Sequence, residues 1–390
     1  MFAVRARGAI PIGYGPRMKT RNERLWSWTA SLSALLVFAG CGGRLGPATV
    51  SLTRTHYNVA AQETSAQELL LNLVRLRYRD APYFLQIASL STNMRARAGI
   101  GAEATFVPNG ADSQGITGSL SIEESPTVTY TPLVGDRFVS QILEPVEPEI
   151  LLLLSHAGWS MDRFLRLFVQ EIGGVPNAPT ASGPTPAKAP VFEEFLRVAE
   201  LFRVLQSRRQ LQLIGGSLGG RGAETPRATE DGVLIRFSPE ALETDEFKEL
   251  QGRLGLEPGR EIFELVSGIG ARAPHRINLV VRSVLSAMFY ASHGIRVPEA
   301  DREGGRVTTT LSPDGEAFDW DRVTGSLIDV ESGRPPETPY AWVRYRGHTF
   351  WIDDADLDSK STFTMLNLVL ALQAGEVPTG GPILTLPVAQ

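Results

Sequence analysis

The chain has 390 residues and one cysteine, Cys41. It closes no intrachain disulfide, so the fold must rest on a buried apolar core rather than on cross-links. Composition permits such a core. Hydrophobic residues make up 43% of the chain and charged residues 21%, values of an ordinary globular protein that exclude wholesale disorder. A chain of this length divides into two or three domains.

The place of that cysteine is informative. From Met18 a charged stretch leads into the apolar run Leu25 to Phe38, followed by Ala39-Gly40-Cys41. A charged start, a short apolar middle and small residues before a cut are the parts of a secretory signal. The run is short for a bilayer span of roughly 20 residues. Ala39-Gly40-Cys41 resembles the lipobox of bacterial lipoproteins, with Phe38 where leucine is usual. Residues 1–17 lack apolar character, so Met18 is expected to be the initiator; the resemblance implies that residues up to Gly40 are removed and that the Cys41 thiol carries lipid such as palmitate. Gly42 and Gly43 lack the aspartate of an inner-membrane retention signal, which points to an outer-membrane anchor facing the periplasm.

Charge narrows the partners. Residues 1–40 hold six positive groups and one negative, leaving 32 Lys and Arg against 42 Asp and Glu from Cys41 onward, a formal charge near −10. That balance argues against nucleic acid as a partner. The expected partners are the bilayer, through acylated Cys41, and an envelope protein.

Periodicity predicts an α+β fold of mixed helices and mostly antiparallel strands, in two subdomains joined by a Pro/Gly-rich segment. Residues 41–60 read as a lipidated tether, 61–172 as an N-terminal domain, 173–190 as an exposed linker and 191–390 as a C-terminal domain. A helix is expected over Thr64–Arg79, and a buried strand over Tyr83–Leu90. Strand-like runs follow at 101–106 and 128–131, with a Pro108-Asn109-Gly110 turn between them. The linker holds five prolines. Further on, helices are expected over Phe192–Leu205 and His275–Ser292. A hairpin turning at Arg346-Gly347 comes next, then a helix over Ser359–Gln373, apolar nearly all round and so buried, and a last strand over Pro382–Val388.

Several strings resemble a family of bacterial lipoproteins with no established activity. They are Asn72-Leu73-Val74-Arg75-Leu76-Arg77-Tyr78-Arg79-Asp80-Ala81-Pro82, Pro126 through Gly135, Tyr345-Arg346-Gly347 through Ser361, and Leu384 through Val388. The resemblance implies no mechanism, cofactor or site residue.

The chemistry-bearing residues give no recognised constellation. The histidines His56, His156, His275, His293 and His348 lack zinc spacing. Asp353, Asp354, Asp356 and Asp358 suggest a calcium loop, but Ser359 and Met365 stand where the loop needs Gly and Glu. Those carboxylates read instead as a solvated loop whose last member caps the next helix. Ser155-His156 are helix neighbours that point apart, and Ser292-His293-Gly294 reads as a helix end. The Gly-rich stretches Gly215–Gly220 and Gly252–Gly255 lack a P-loop lysine. Catalytic, metal and cofactor sites are therefore expected to be none.

Trp342, Tyr345 and Trp351 are the candidate ligand contacts, an aromatic platform on the hairpin. Arg77 falls inside the apolar stripe of its helix. A structural partner is expected for it, with Glu123, Glu124 and Asp136 as candidates; the functional alternative is an arginine waiting for an anion. The expected function is binding or assembly at the envelope. An envelope hydrolase acting on peptidoglycan or lipid is one alternative, and a solute- or glycan-binding lipoprotein another.

Overall fold

The computed structural model of the chain describes residues 45–105, 113–218, 226–227 and 232–373. Cys41, the signal segment, the Pro108-Asn109-Gly110 turn and the strand expected at 382–388 lie outside them. The fold is α+β, with mostly antiparallel sheets and one mixed sheet.

Two compact units are present. Of the described residues, one holds those up to Ala61 together with those from Leu85 to Thr131, and the other holds Gln62–Phe84 with those from Pro132 to Gln373. Helix α1 covers Leu45–Arg77, so the expected tether is helical from Leu45. Leucine, alanine and polar residues without Pro or paired Gly from Ala48 onward sustain it. The first unit then contains strands β1 (Leu85–Thr105) and β2 (Ser113–Pro132), paired with each other. The strand expected to be buried at 83–90 is instead exposed at its start, with Leu85 and Ile87 accessible.

The second unit is built on a six-stranded sheet. Helices α2 (Pro148–His156) and α3 (Met161–Phe168) lead into β3 (Val169–Ile172) and β4 (Val175–Pro176). Helix α4 (Glu193–Ser207) precedes β5 (Leu211–Gly215) and β6 (Val233–Phe237), and α5 (Asp245–Leu254) precedes β7 (Ile262–Ser267) and β8 (Arg276–Val281). The spatial order is β4-β3-β8-β7-β6-β5, and only β7 and β8 are parallel. The helix expected over 275–292 is thus wrong for its first half. The run Ile277 to Val281 is a buried strand, and α6 (Val284–Ser292) starts only where the Ser283 side chain accepts a hydrogen bond from the Ser286 amide.

A second sheet has the order β9 (Glu331–Ser332), β11 (His348–Asp353), β10 (Pro339–Tyr345). The hairpin turns at Arg346 and Gly347, both at positive φ, as expected. Helix α7 (Leu357–Gln373) buries Phe363, Met365, Leu366 and Val369 but leaves Leu357, Leu368 and Leu372 exposed, so it is not buried all round.

The largest correction concerns residues 173–190. Val175, Asn177, Ala178, Ala181 and Thr185 are buried there, and the segment lies within the second unit. Its carbonyls find distant donors. Asn177 accepts from Arg282, Thr185 from Arg79 at 3.0 Å and Pro186 from the Thr310 hydroxyl at 2.7 Å. Arg282 is the centre of this packing. Its guanidinium also donates to the Ser182 hydroxyl at 2.8 Å and to the carbonyls of Arg166, Leu167 and Val169, and it lies 4.2 Å over the Tyr290 ring. Burial pulls its pKa down to about 10, so it stays charged at neutral pH.

Candidate functional site

The site begins with the last turn of α1. Leu70, Leu73, Val74 and Leu76 are buried as the stripe requires, and Arg77 sits among them with 7% of its surface exposed. Of the three acids considered from the sequence, Asp136 is not its partner, and the side chains of Glu123 and Glu124 lie outside the described residues. Nη1 donates to the Thr185 hydroxyl at 2.9 Å. Among the described residues no carboxylate comes within ion-pair distance of it. Burial first, and then Arg302, pull its pKa down to about 10 against the opposing effect of Tyr78. A desolvated guanidinium held by one neutral hydroxyl is poorly compensated.

Arg77 lines a cavity of about 400 Å³ with His293, Arg302, the threonines 308–310 and Trp320. Exposed Asp319 and Asp321 also line it. Two of the other cations are already paired: Arg296 with Asp321, Asp329 and Glu331, and Arg302 with Glu299. Gly294 allows the walls to close. A β-carbon there would lie 2.5 Å from the Ile328 carbonyl oxygen, so the α6 exit and residues 328–330 pack backbone against backbone.

His293 has a defined state. Its ring nitrogen Nδ1 lies 3.1 Å from the Tyr290 carbonyl, which can only accept, so Nδ1 carries the proton. Burial, and then Arg77, hold its pKa down to about 3. The ring is therefore neutral at pH 7, and Nε2 presents a lone pair. It stacks on Trp320 with centroids 3.9 Å apart, and Trp320 meets Phe318 edge-on at 5.2 Å.

Three nitrogens on these cavity residues have no partner among the described residues: Arg77 Nε, His293 Nε2 and Trp320 Nε1. Two are N–H donors and one is an acceptor. Buried polar groups are nearly always satisfied, so three orphans on adjacent residues mark this region as unfinished by the protein alone. The complement is a group with acceptor oxygens for Arg77 and Trp320 and one O–H or N–H for His293.

Beside the cavity, the end of α1 is locked to the hairpin. The buried Asp301 carboxylate accepts from the Tyr78 hydroxyl at 2.5 Å and from Arg306 at 2.5 Å, with His348 Nε2 at 3.6 Å. Burial alone would raise its pKa, yet these donors hold it below the ordinary carboxylate value. Burial and Asp301 push the Tyr78 phenol above its ordinary value. Asp80 accepts from Tyr345 and from Arg346 at 2.9 Å, and Arg346 lies 5.4 Å over the Tyr78 ring.

The candidate aromatic platform divides. Trp342 and Trp351 are cross-strand partners on the outer face of the hairpin. Tyr345 shares the opposite face with buried Val343 and packs on Tyr78 at 5.7 Å. The alternation that places Trp342 outward turns Tyr345 inward. Around the aspartate cluster, Asp356 rather than Asp358 caps α7, accepting from the amides of Asp358 and Ser359. Asp358 pairs with Arg163, and Asp354 with Lys360. Ser292 donates to the Phe289 carbonyl at 2.7 Å rather than activating a histidine.

Sequence reasoning found Arg77 but missed His293 and Trp320 as its neighbours. A lone tryptophan and a helix-terminal histidine more than 200 positions further along the chain carry no spacing signal, and only the fold brings them together. Comparisons with protein-family models, with characterised proteins and with solved structures find no match to this chain.

Proposed function

We propose that this chain is a lipid-anchored envelope protein that binds an anionic small molecule in the Arg77 cavity and does not transform it. The observation that carries the reading is the guanidinium of Arg77, desolvated, without a carboxylate among the described residues, and grouped with the orphan nitrogens of His293 and Trp320. The favoured ligand presents a carboxylate or phosphate next to a hydroxyl, as in hydroxy acids and sugar phosphates. A histidine held at about 3 has no basicity to spend on general-base catalysis at neutral pH. The anchor at Cys41 rests on the sequence alone, and mass spectrometry of the mature N-terminal peptide tests it.

Isothermal titration of the purified protein with a panel of hydroxy acids, sugar phosphates and their neutral counterparts tests the binding reading. Acid members are expected to bind and neutral ones to fail, and Arg77→Met is expected to weaken binding by at least tenfold. Equal affinity of Arg77→Met and the parent for every member would overturn it.

A further inference from the structure

None of the described residues that line the cavity belongs to the hairpin of the first unit, which has features of its own. β1 and β2 run for 21 and 20 residues and pair only with each other among the described strands. Successive residues of a strand belong to opposite faces. In β1 the even positions from Ala88 to Ala104 carry no charge and include Leu90, Met94 and Ile100, whereas the odd positions include Asn93, Arg95, Arg97 and Glu103. In β2 every odd position from Ser113 to Thr131 is Ser, Thr, Gly or Glu, and the even positions include Ile116, Leu120, Ile122, Val128 and Tyr130, with Gln114 and Glu124 as the polar exceptions. Each strand therefore has one apolar and one polar face over most of its length.

In water such a ribbon is unfavourable. Two strands alone are marginally stable, and long open edges invite pairing. In a bilayer the same pattern is the one that barrel strands use, apolar toward lipid and polar toward the lumen. About 9–11 tilted residues cross the hydrocarbon, and each strand exceeds that. An open edge is not tolerated in lipid, so a two-stranded hairpin must be closed by further strands. The chain offers no others of this length or pattern among the described residues; further copies of the chain do. Among the described residues no helix is long and apolar enough to cross a membrane.

We propose that the β1–β2 hairpins of several copies of this chain assemble edge to edge into a membrane-spanning β-barrel, two strands from each copy. In the proposed barrel the alternate positions of β1 that include Leu90 and Ile100, and those of β2 that include Leu120 and Ile122, meet acyl chains, while the positions between them line the lumen. This goes beyond the binding reading and does not rest on it.

The test uses the full chain, extracted from the envelope in detergent and reconstituted into phosphatidylethanolamine–phosphatidylglycerol vesicles loaded with a small fluorescent dye. Oligomer mass and dye release are read for the parent, for Leu120→Asp and for Ser119→Asp, which put one carboxylate on opposite faces. The parent and Ser119→Asp are expected to form the same oligomer and release dye. Leu120→Asp is expected to lose both by at least tenfold while its thermal melt stays that of the parent. Protease added outside the vesicles, followed by peptide mass analysis, reads the hairpin directly, and β1 and β2 are expected to be protected. Equal behaviour of the two variants would overturn the proposal. So would a monomeric parent that releases no dye, or a hairpin cut in vesicles as fast as in detergent.

Discussion

Two buried arginines show how partners, rather than burial, decide what a charge does. Arg77 and Arg282 are both pulled down to about 10 by desolvation. Arg282 is surrounded by acceptors: four carbonyls, the Ser182 hydroxyl and the face of Tyr290. Arg77 has the Thr185 hydroxyl. Replacement by Met keeps most of the stem in each case. Arg282→Met strands buried carbonyls and is expected to cost about 3–5 kcal/mol in chemical denaturation. Arg77→Met removes a desolvated charge and strands one hydroxyl, so it is expected to leave stability within about 1 kcal/mol of the parent, or to raise it. A large loss for Arg77→Met would assign it a structural role. His293 adds a pH signature. Its ordinary value is 6.5 and its folded value about 3, so the unfolded chain takes up the proton first as pH falls. Its contribution is complete above about pH 6.5 and is lost progressively toward pH 3, with a slope approaching about 1.4 kcal/mol per pH unit. His293→Gln is expected to be less stable at pH 7 and to lose one proton's worth of that acid slope in melts between pH 6 and 4.

At the scale of elements, what was legible in the sequence depended on where the satisfying groups come from. Helix α4 and the β10–β11 hairpin were readable because their information is local: an apolar stripe at 3.6 spacing, and Arg346-Gly347 between alternating runs. The segment 173–190 was not. Its prolines pointed to a segment with no element of its own, yet Val175–Pro176 pairs with β3 as β4 and Pro179–Ala181 makes a 3-10 turn. Whether such a chain is solvated or buried depends on donors that reach it from outside, and Arg79, Arg282 and Thr310 are more than 90 positions away. The second half of the helix expected over 275–292, which is α6, was readable and the first half was not, because Ile277 to Val281 fits a buried strand and a buried helix equally well. The candidate site was legible only at Arg77, a charge placed inside the apolar stripe of its own helix. Asn177 tests the revised view of the segment. Its side-chain amide donates to the carbonyls of Arg166 at 2.8 Å and Val169 at 2.7 Å, and it is fully buried. Asn177→Ala is expected to cost about 2–4 kcal/mol. Limited proteolysis of the parent is expected to leave 173–190 uncut in the earliest fragments, and first cuts there would restore the linker.

For the whole molecule, the two units match the two proposed tasks, with the cavity in one and the hairpin in the other. The second unit carries its own closure where the hairpin leaves it. Phe84 and Leu133 are both buried, and the Leu133 amide donates to the Phe84 carbonyl at 3.0 Å. The chain ends at that point are already held together, so residues 85–132 can be replaced by a two-residue Gly-Ser turn with little closure entropy to recover. The cavity residues Arg77, His293 and Trp320 all belong to the second unit. The shortened protein is expected to melt within about 1 kcal/mol of the parent, a Tm shift of roughly 2–4 °C at most, and to bind the same acids with unchanged affinity. It is also expected to be monomeric and to release no dye from vesicles. A cooperative melt that disappears on excision would mean that the hairpin holds the core together, and loss of acid binding with the melt intact would mean that the cavity needs the hairpin. Either result would join what the division of the chain separates.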